Sequence, residues 1–297
     1  MESNKLKIGW IGTGVMGKSM CKHLLTAGYE LLVYSRTMSK TEELKELGAI
    51  QSDVLSISQQ CDVVFLMLGY PKDVEDIVLG ENGIINTMKQ GAYLVDHTTS
   101  SPELAKAIYN ECNDRGIYSY DAPVSGGDIG AKNGKLVVMV GGSKEQFSSV
   151  ENIMKCYSSK ISLLGSAGFG QNTKMCNQIM ISGAMISVCE ALLYGYKANL
   201  DLAATIELLG GGAASSFSLN TYGPRILKRD FEPGFFVEHF VKDMGIALEE
   251  CKKMGIKLQG LELAYSLYNI MINEGWNKKG TQGLYLAIEK LNNIDIN

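Results

Sequence analysis

Ile8-Gly9-Trp10-Ile11-Gly12-Thr13-Gly14-Val15-Met16-Gly17 is the stretch on which the fold turns. Residues 5–11 (Lys-Leu-Lys-Ile-Gly-Trp-Ile) alternate and then become apolar, the pattern of a buried first strand. They run directly into Gly-x-Gly-x-x-Gly, and a helical pattern follows to about Ala27. A strand before and a helix after is the context that a dinucleotide-binding turn requires. Gly12 permits the tight turn, Gly14 lets backbone approach a pyrophosphate, and Gly17 lets the helix pack closely on the strand. The N–H groups of the turn, those of Thr13, Val15 and Met16 among them, would hold phosphates together with the helix dipole.

The next strand, residues 30–34, ends where an adenosine ribose should lie. A carboxylate at that end would bond the ribose hydroxyls and select NAD. Here the chain reads Ser35-Arg36-Thr37, with Lys40 one turn beyond. Arg36 can stack on adenine and pair with a 2′-phosphate, while Ser35 and Thr37 can donate to it, so the missing acid favours NADP over NAD. The plain alternative is a solvated arginine at a strand end.

Strand and helix patterns then alternate: helix at 42–47, a short strand at 49–51, a buried strand at 62–68, and a helix after Gly69-Tyr70-Pro71. Met67 and Leu68, ending the buried strand, are placed at the cofactor. The strand at 93–96 ends in His97-Thr98-Thr99-Ser100-Ser101-Pro102, where Ser101 reads as a helix N-cap. Thr99 can donate to the nicotinamide side, and His97 reads as a satisfied loop histidine. After the strand at 117–121 comes Ala122-Pro123-Val124-Ser125-Gly126-Gly127. Loops at the carboxyl ends of such strands bind ligands. Ser125, Gly126 and Gly127 either form a nest for a carboxylate or alkoxide, or turn the chain into a hairpin with 135–140. A helix at 144–154 and a strand at 161–164 complete a first domain, 1–165.

From 166 to 297 only helical patterns appear. Gly168-Phe169-Gly170-Gln171-Asn172-Thr173-Lys174 opens a helix to about Asn199 that is apolar nearly all round, a helix for a protein interior or a subunit interface. Lys174, Asn177, Gln178 and Ser182 fall at i, i+3, i+4 and i+8 and share one face. Burial and the dipole of a first helical turn would both lower a lysine's pKa, which suits a proton donor. A head snorkelling to water from the helix end would look the same in sequence. Further helices are expected at 201–208, 237–254, 261–273 and 283–292.

At 297 residues, with 45% hydrophobic and 20% charged residues, the chain is long enough for two domains and a full core. A net charge of -4 without a basic run offers no footprint for nucleic acid or a membrane surface. No uninterrupted apolar run of about 18 residues suggests a membrane span, and residues 1–5 do not resemble a signal peptide. Seven scattered cysteines without a Cys-x-x-Cys pair read as reduced thiols of a cytoplasmic protein. With three histidines and no ligand spacing, no metal is expected. The long apolar helix leads us to expect a homodimer or homotetramer.

Four stretches together resemble the β-hydroxyacid dehydrogenase family: Gly12-x-Gly14-x-x-Gly17, Asp121-Ala-Pro-Val-Ser-Gly-Gly127, Gly168-x-Gly170-x-x-x-Lys174 and Lys242-Asp243-x-x-x-Ala247. The resemblance implies a Rossmann-type α/β domain with a doubly wound sheet, then an all-helical C-terminal domain joined by the long helix. It implies that Lys174 is the catalytic acid/base, that Ser125, Gly126 and Gly127 hold a substrate carboxylate, and that Lys242 lies by the cofactor. Ser35-Arg36-Thr37 is similar to the Asn-Arg-Thr of the NADPH-using semialdehyde reductases. The family usually has asparagine four residues after the lysine, helping to orient it and the substrate. Here Gln178 stands there with Asn177 beside it, so glutamine either makes those bonds from a shifted place or leaves a differently sized pocket. The activity implied is hydride transfer between NADP(H) and a small hydroxyacid or aldehyde acid. The rivals are an NADPH-dependent imine reductase, a phosphogluconate-type decarboxylating dehydrogenase, for which the chain looks too short, and a dinucleotide-binding protein without turnover.

Overall fold

A computed structural model describes residues 6–294, and it separates into two compact units, Met1–Lys174 and Met175–Asn297. Lys5, where the sequence pattern begins the first strand, and residues 1–4 lie outside the described residues.

The first unit begins with β1 (Ile8–Ile11), α1 (Val15–Thr26), β2 (Leu31–Tyr34), α2 (Glu42–Glu46), β3 (Ile50–Gln51) and α3 (Val54–Gln60). It continues with β4 (Val63–Leu66), α4 (Pro71–Leu79), β5 (Tyr93–Asp96), α5 (Pro102–Asp114) and β6 (Tyr118–Asp121). β7 (Val124–Ser125), α6 (Gly127–Lys132), β8 (Leu136–Gly142), α7 (Phe147–Met154) and β9 (Ser158–Leu163) follow. The strands lie in the order β3-β2-β1-β4-β5-β6-β8-β7, with β9 pairing β8. The first six pair in parallel, β8 runs antiparallel to β6 and β7, and β9 runs parallel to β8. This is the strand order of a doubly wound dinucleotide-binding sheet.

Both faces of the sheet are covered, which is why its strands read as apolar runs. Ile8, Trp10, Val63 and Phe65 enter one core, whereas Ile11, Val64 and Leu66 enter the other. The sequence pattern did not reveal α3. Its start carries a local signal all the same: Asp53 Oδ1 accepts from Ser56 N at 2.8 Å, an N-cap. Gly9 of β1 makes room for this helix, because a Cβ there would lie 2.3 Å from Ile57 Cγ2. The N-cap expected at Ser101 is present, its Oγ accepting from Leu104 N at 3.1 Å.

The second unit is helical. α8 (Phe169–Lys197) begins within the first unit and is followed by α9 (Leu202–Gly210), a π-turn at Ser218–Tyr222, α10 (Gly223–Leu227), α11 (Val237–Lys253), α12 (Gln259–Asn273) and α13 (Leu284–Leu291). The π-turn and α10 were not anticipated. Met175, Met185, Ile186, Cys189, Leu192 and Leu193 of α8 pack in the core with residues of α11, α12 and α13. These residues meet the interior part of the expectation for α8, whereas a stripe of Cys176, Met180, Gly183, Ser187, Glu190 and Tyr194 is exposed in the single chain. Although Asn177, Gln178, Ser182 and Glu190 interrupt its apolar run, α8 is by length and composition alone apolar enough to cross a membrane, an 18-residue window reaching mean hydropathy 1.5. Packing in the second unit's core buries 44% of that window and accounts for that part of its apolarity.

Candidate active site

The glycine-rich turn is built by two close contacts and one opening. Gly12 has φ +106°, and a Cβ on it would lie 2.2 Å from the Met67 carbonyl oxygen. A Cβ on Gly17 would lie 2.0 Å from the Gly12 carbonyl oxygen, whereas a Cβ on Gly14 would meet nothing within 4 Å beyond its own neighbouring backbone. No side chain caps α1 at Gly14. Open backbone at the N-terminus of a twelve-residue helix fits a phosphate group. Thr13 is buried with its hydroxyl 3.4 Å from the Lys40 carbonyl, Val15 is exposed, and Met16 packs on the core. Met67 and Leu68 are half-buried, and Leu68 N donates to Thr98 Oγ1 at 2.9 Å. It is thus Thr98, passed over in the sequence, that ties β4 to the turn after β5, while Thr99 beside it is half-buried.

At the end of β2, Ser35 is buried, and Arg36 and Thr37 are exposed. Arg36 Nη1 donates to Asp73 Oδ1 at 2.9 Å, a partner that sequence did not suggest.

Lys174 is 7% exposed, and its Nζ donates to the Val124 carbonyl at 2.9 Å. The amine therefore points to the residue just before Ser125. The hairpin reading of that loop is observed. Val124 and Ser125 pair with Val138 and Val137 of β8, and Gly126 and Gly127, the N-cap and first residue of α6, take φ +127° and +62°. What places Lys174 there is a set of contacts at the start of α8. Asp121 Oδ1 accepts from Gly168 N and its Oδ2 from Gln171 N, each at 2.8 Å, so a strand-end carboxylate caps the helix across 47 and 50 residues of sequence. The Gln171 side chain, fully buried, accepts from Ser100 N at 2.9 Å and donates to the Thr98 carbonyl at 2.8 Å. Neither Asp121 nor Gln171 was assigned a role from sequence. Burial pushes the Asp121 carboxyl up from 3.8 to about 6, against the backbone N–H groups that favour its ionised form.

His97 is the satisfied histidine that the sequence suggested. Its ring nitrogens lie 2.6 Å from the Ala122 carbonyl and 2.9 Å from the Tyr157 hydroxyl. A carbonyl only accepts, so Nδ1 carries the proton and Nε2 accepts from tyrosine. Burial lowers its pKa from 6.5 to about 4.

In the second unit, Asn177, Gln178 and Lys242 converge on a residue that was not singled out as a site residue, Asp243. Asn177 Nδ2 donates to Gln178 Oε1 at 2.7 Å, and Gln178 Nε2 donates to Asp243 Oδ2 at 2.6 Å. Lys242 Nζ lies 3.0 Å from Asp243 Oδ1 as an ion pair, poorly aligned for a hydrogen bond. Both ends of the Gln178 amide are thus engaged by neighbouring side chains. A separate cavity of about 500 Å³ is lined by Tyr34, Asp53, Glu81, Asn82 and other residues, none of them expected at the site.

Comparison with known proteins agrees with this architecture. Residues 7–165 match the family described as the NAD binding domain of 6-phosphogluconate dehydrogenase, and residues 168–288 that described as NAD-binding of NADP-dependent 3-hydroxyisobutyrate dehydrogenase. The chain is 50% identical to the oxidoreductase YkwC of Bacillus subtilis over 95% of its length and 98% of that protein. It is 47% identical to the mitochondrial 3-hydroxyisobutyrate dehydrogenase-like protein 1 of Arabidopsis thaliana over 98% of its length and 87% of that protein. In fold it is similar to the crystal structure of 3-hydroxyisobutyrate dehydrogenase from Salmonella typhimurium, with TM-score 0.86 at 21% identity, covering 95% of this chain and 99% of that one. The chain belongs to the β-hydroxyacid dehydrogenase family, as an oxidoreductase acting on CH–OH with a nicotinamide dinucleotide.

Proposed function

We propose that the protein moves a hydride between NADP(H) and a small β-hydroxyacid or aldehyde acid of the 3-hydroxyisobutyrate, succinic semialdehyde or glyoxylate class, with Lys174 as general acid and base. The observation that carries the reading is a lysine amine, 7% exposed, bonded at 2.9 Å to the carbonyl next to Ser125. Burying an ammonium is costly, and a fold tolerates it most readily where the group works. The bound nicotinamide supplies the hydride in reduction and takes it up in oxidation. The rest falls to this chain. As the carbonyl carbon gains hydride its oxygen gains charge, and Lys174 Nζ gives it a proton to complete the hydroxyl. In oxidation the same amine takes that proton back. Ser125 and the N–H groups of Gly126 and Gly127 hold the carboxylate, which fixes the carbonyl for transfer. The basic end of β2 at Ser35, Arg36 and Thr37 supports NADP(H).

The test is a set of initial rates with NADPH and NADH across glyoxylate, succinic semialdehyde, methylmalonate semialdehyde and tartronate semialdehyde. Lys174→Ala should lower kcat by roughly 10²-fold or more while dinucleotide affinity holds. Retained turnover in that variant, or reduction of cyclic imines in place of every carbonyl acid, would refute the proposal.

A further inference from the structure

The guanidinium suited to a 2′-phosphate already has a partner. Asp73, to which Arg36 is paired, stands in the first turn of α4, the helix that follows β4. β2 and β4 flank β1, with Ile11 in register with both Tyr34 and Leu66. The pair therefore reaches across the end of β1, where the chain enters the Gly12–Gly17 turn and where the adenosine half of a dinucleotide lies in this fold. The two partners are unequal. Arg36 is 78% exposed and Asp73 only 23%. An ion pair this open is worth at most about 1 kcal/mol, so Arg36 is easily drawn to a phosphate. Asp73 has an unmet need of its own. Its Oδ2 is buried and accepts no hydrogen bond among the described residues. A hydroxyl would satisfy that oxygen, whereas a phosphate dianion has no proton for it and would repel it.

We propose that Asp73 supplies, from the turn after β4, the ribose-recognising carboxylate that the end of β2 lacks. Arg36 serves the 2′-phosphate of NADP(H) and Asp73 the 2′-hydroxyl of NAD(H), so the site takes both cofactors and Asp73 limits the preference for NADP(H). This rests on the dinucleotide reading above. The test is calorimetric titration of the purified protein with NAD+, NADP+, ADP-ribose and 2′-phospho-ADP-ribose, for wild type, Asp73→Asn and Arg36→Ala, with thermal melts to verify folding. Asp73→Asn should weaken NAD+ and ADP-ribose by about 10-fold, the scale of one hydrogen bond to a charged group. It should leave the phosphorylated pair unchanged or tighter. Arg36→Ala should shift the ratio the other way. If Asp73→Asn leaves the NADP+/NAD+ ratio within about twofold, or weakens both alike, Asp73 is only a surface partner of Arg36 and the inference fails. Should the wild type bind neither dinucleotide, the reading beneath it falls too, which separates the two failures. Asp73→Ser serves if the asparagine variant melts early.

Discussion

His97 and Asp121 lie buried at the ends of the adjacent strands β5 and β6, and they titrate in opposite senses. The His97 pKa falls from 6.5 to about 4 because burial disfavours the imidazolium. Between those values the unfolded chain binds a proton that the folded one refuses. The histidine's contribution to stability is therefore present above pH 6.5 and lost as pH falls toward 4. The Asp121 pKa rises from 3.8 to about 6, so its contribution is present below 3.8 and lost as pH rises through about 6. Over one interval the two offset each other. His97→Asn removes one arm and adds a cost that does not vary with pH. Relative to wild type, the variant should gain on the order of 3 kcal/mol as pH falls from 6.5 to 4. Urea unfolding at several pH values measures this, and a constant difference between the two proteins would contradict it.

At the scale of an element, α8 is set in place by its first turns. A Cβ on Gly170 would lie 2.5 Å from the carbonyl oxygens of both Asp121 and Met139. In an exposed helix, glycine to alanine gains about 1 kcal/mol. Here the clash is with backbone, which cannot swing aside, so overpacking wins. Gly170→Ala should destabilise by roughly 1–3 kcal/mol and displace Lys174 one turn on, lowering kcat as well. A variant as stable and as active as wild type would show that the helix start has slack. The same close approach explains why the stretch opening α8 needs glycine four residues before its lysine.

For the molecule as a whole, the telling feature is the apolar surface left uncovered in a single chain. Met180 is 75% exposed and Tyr194 76%, both on the open stripe of α8, and Leu208 of α9 is 78% exposed. Faces of this kind mark association sites, and closed symmetric assembly of identical chains is the commonest way to cover them. Light scattering after size exclusion should give a multiple of the 32.4 kDa chain mass. Replacing Met180 and Tyr194 together by glutamate should reduce it. A monomer at micromolar concentration would show that the stripe has another purpose.

The fold and the position of the acid/base candidate were legible in sequence because they rest on local periodicity. A run of apolar residues broken by Gly12, Gly14 and Gly17 fixes a strand, a turn and a helix within a few residues of each other. The spacing of Lys174, Asn177, Gln178 and Ser182 likewise fixes one face of one helix. What local pattern does not carry is the partner at the far end of a bond. That Asp121 caps α8, that Gln171 ties the turn after β5 to it, that Asp243 receives Gln178, and that Asp73 meets Arg36 are matters of contacts 37 to 73 residues apart along the chain. Such contacts exist only once strands have been ordered and helices laid on them. A side chain's type announces what it can bond, and only the packed chain decides to what.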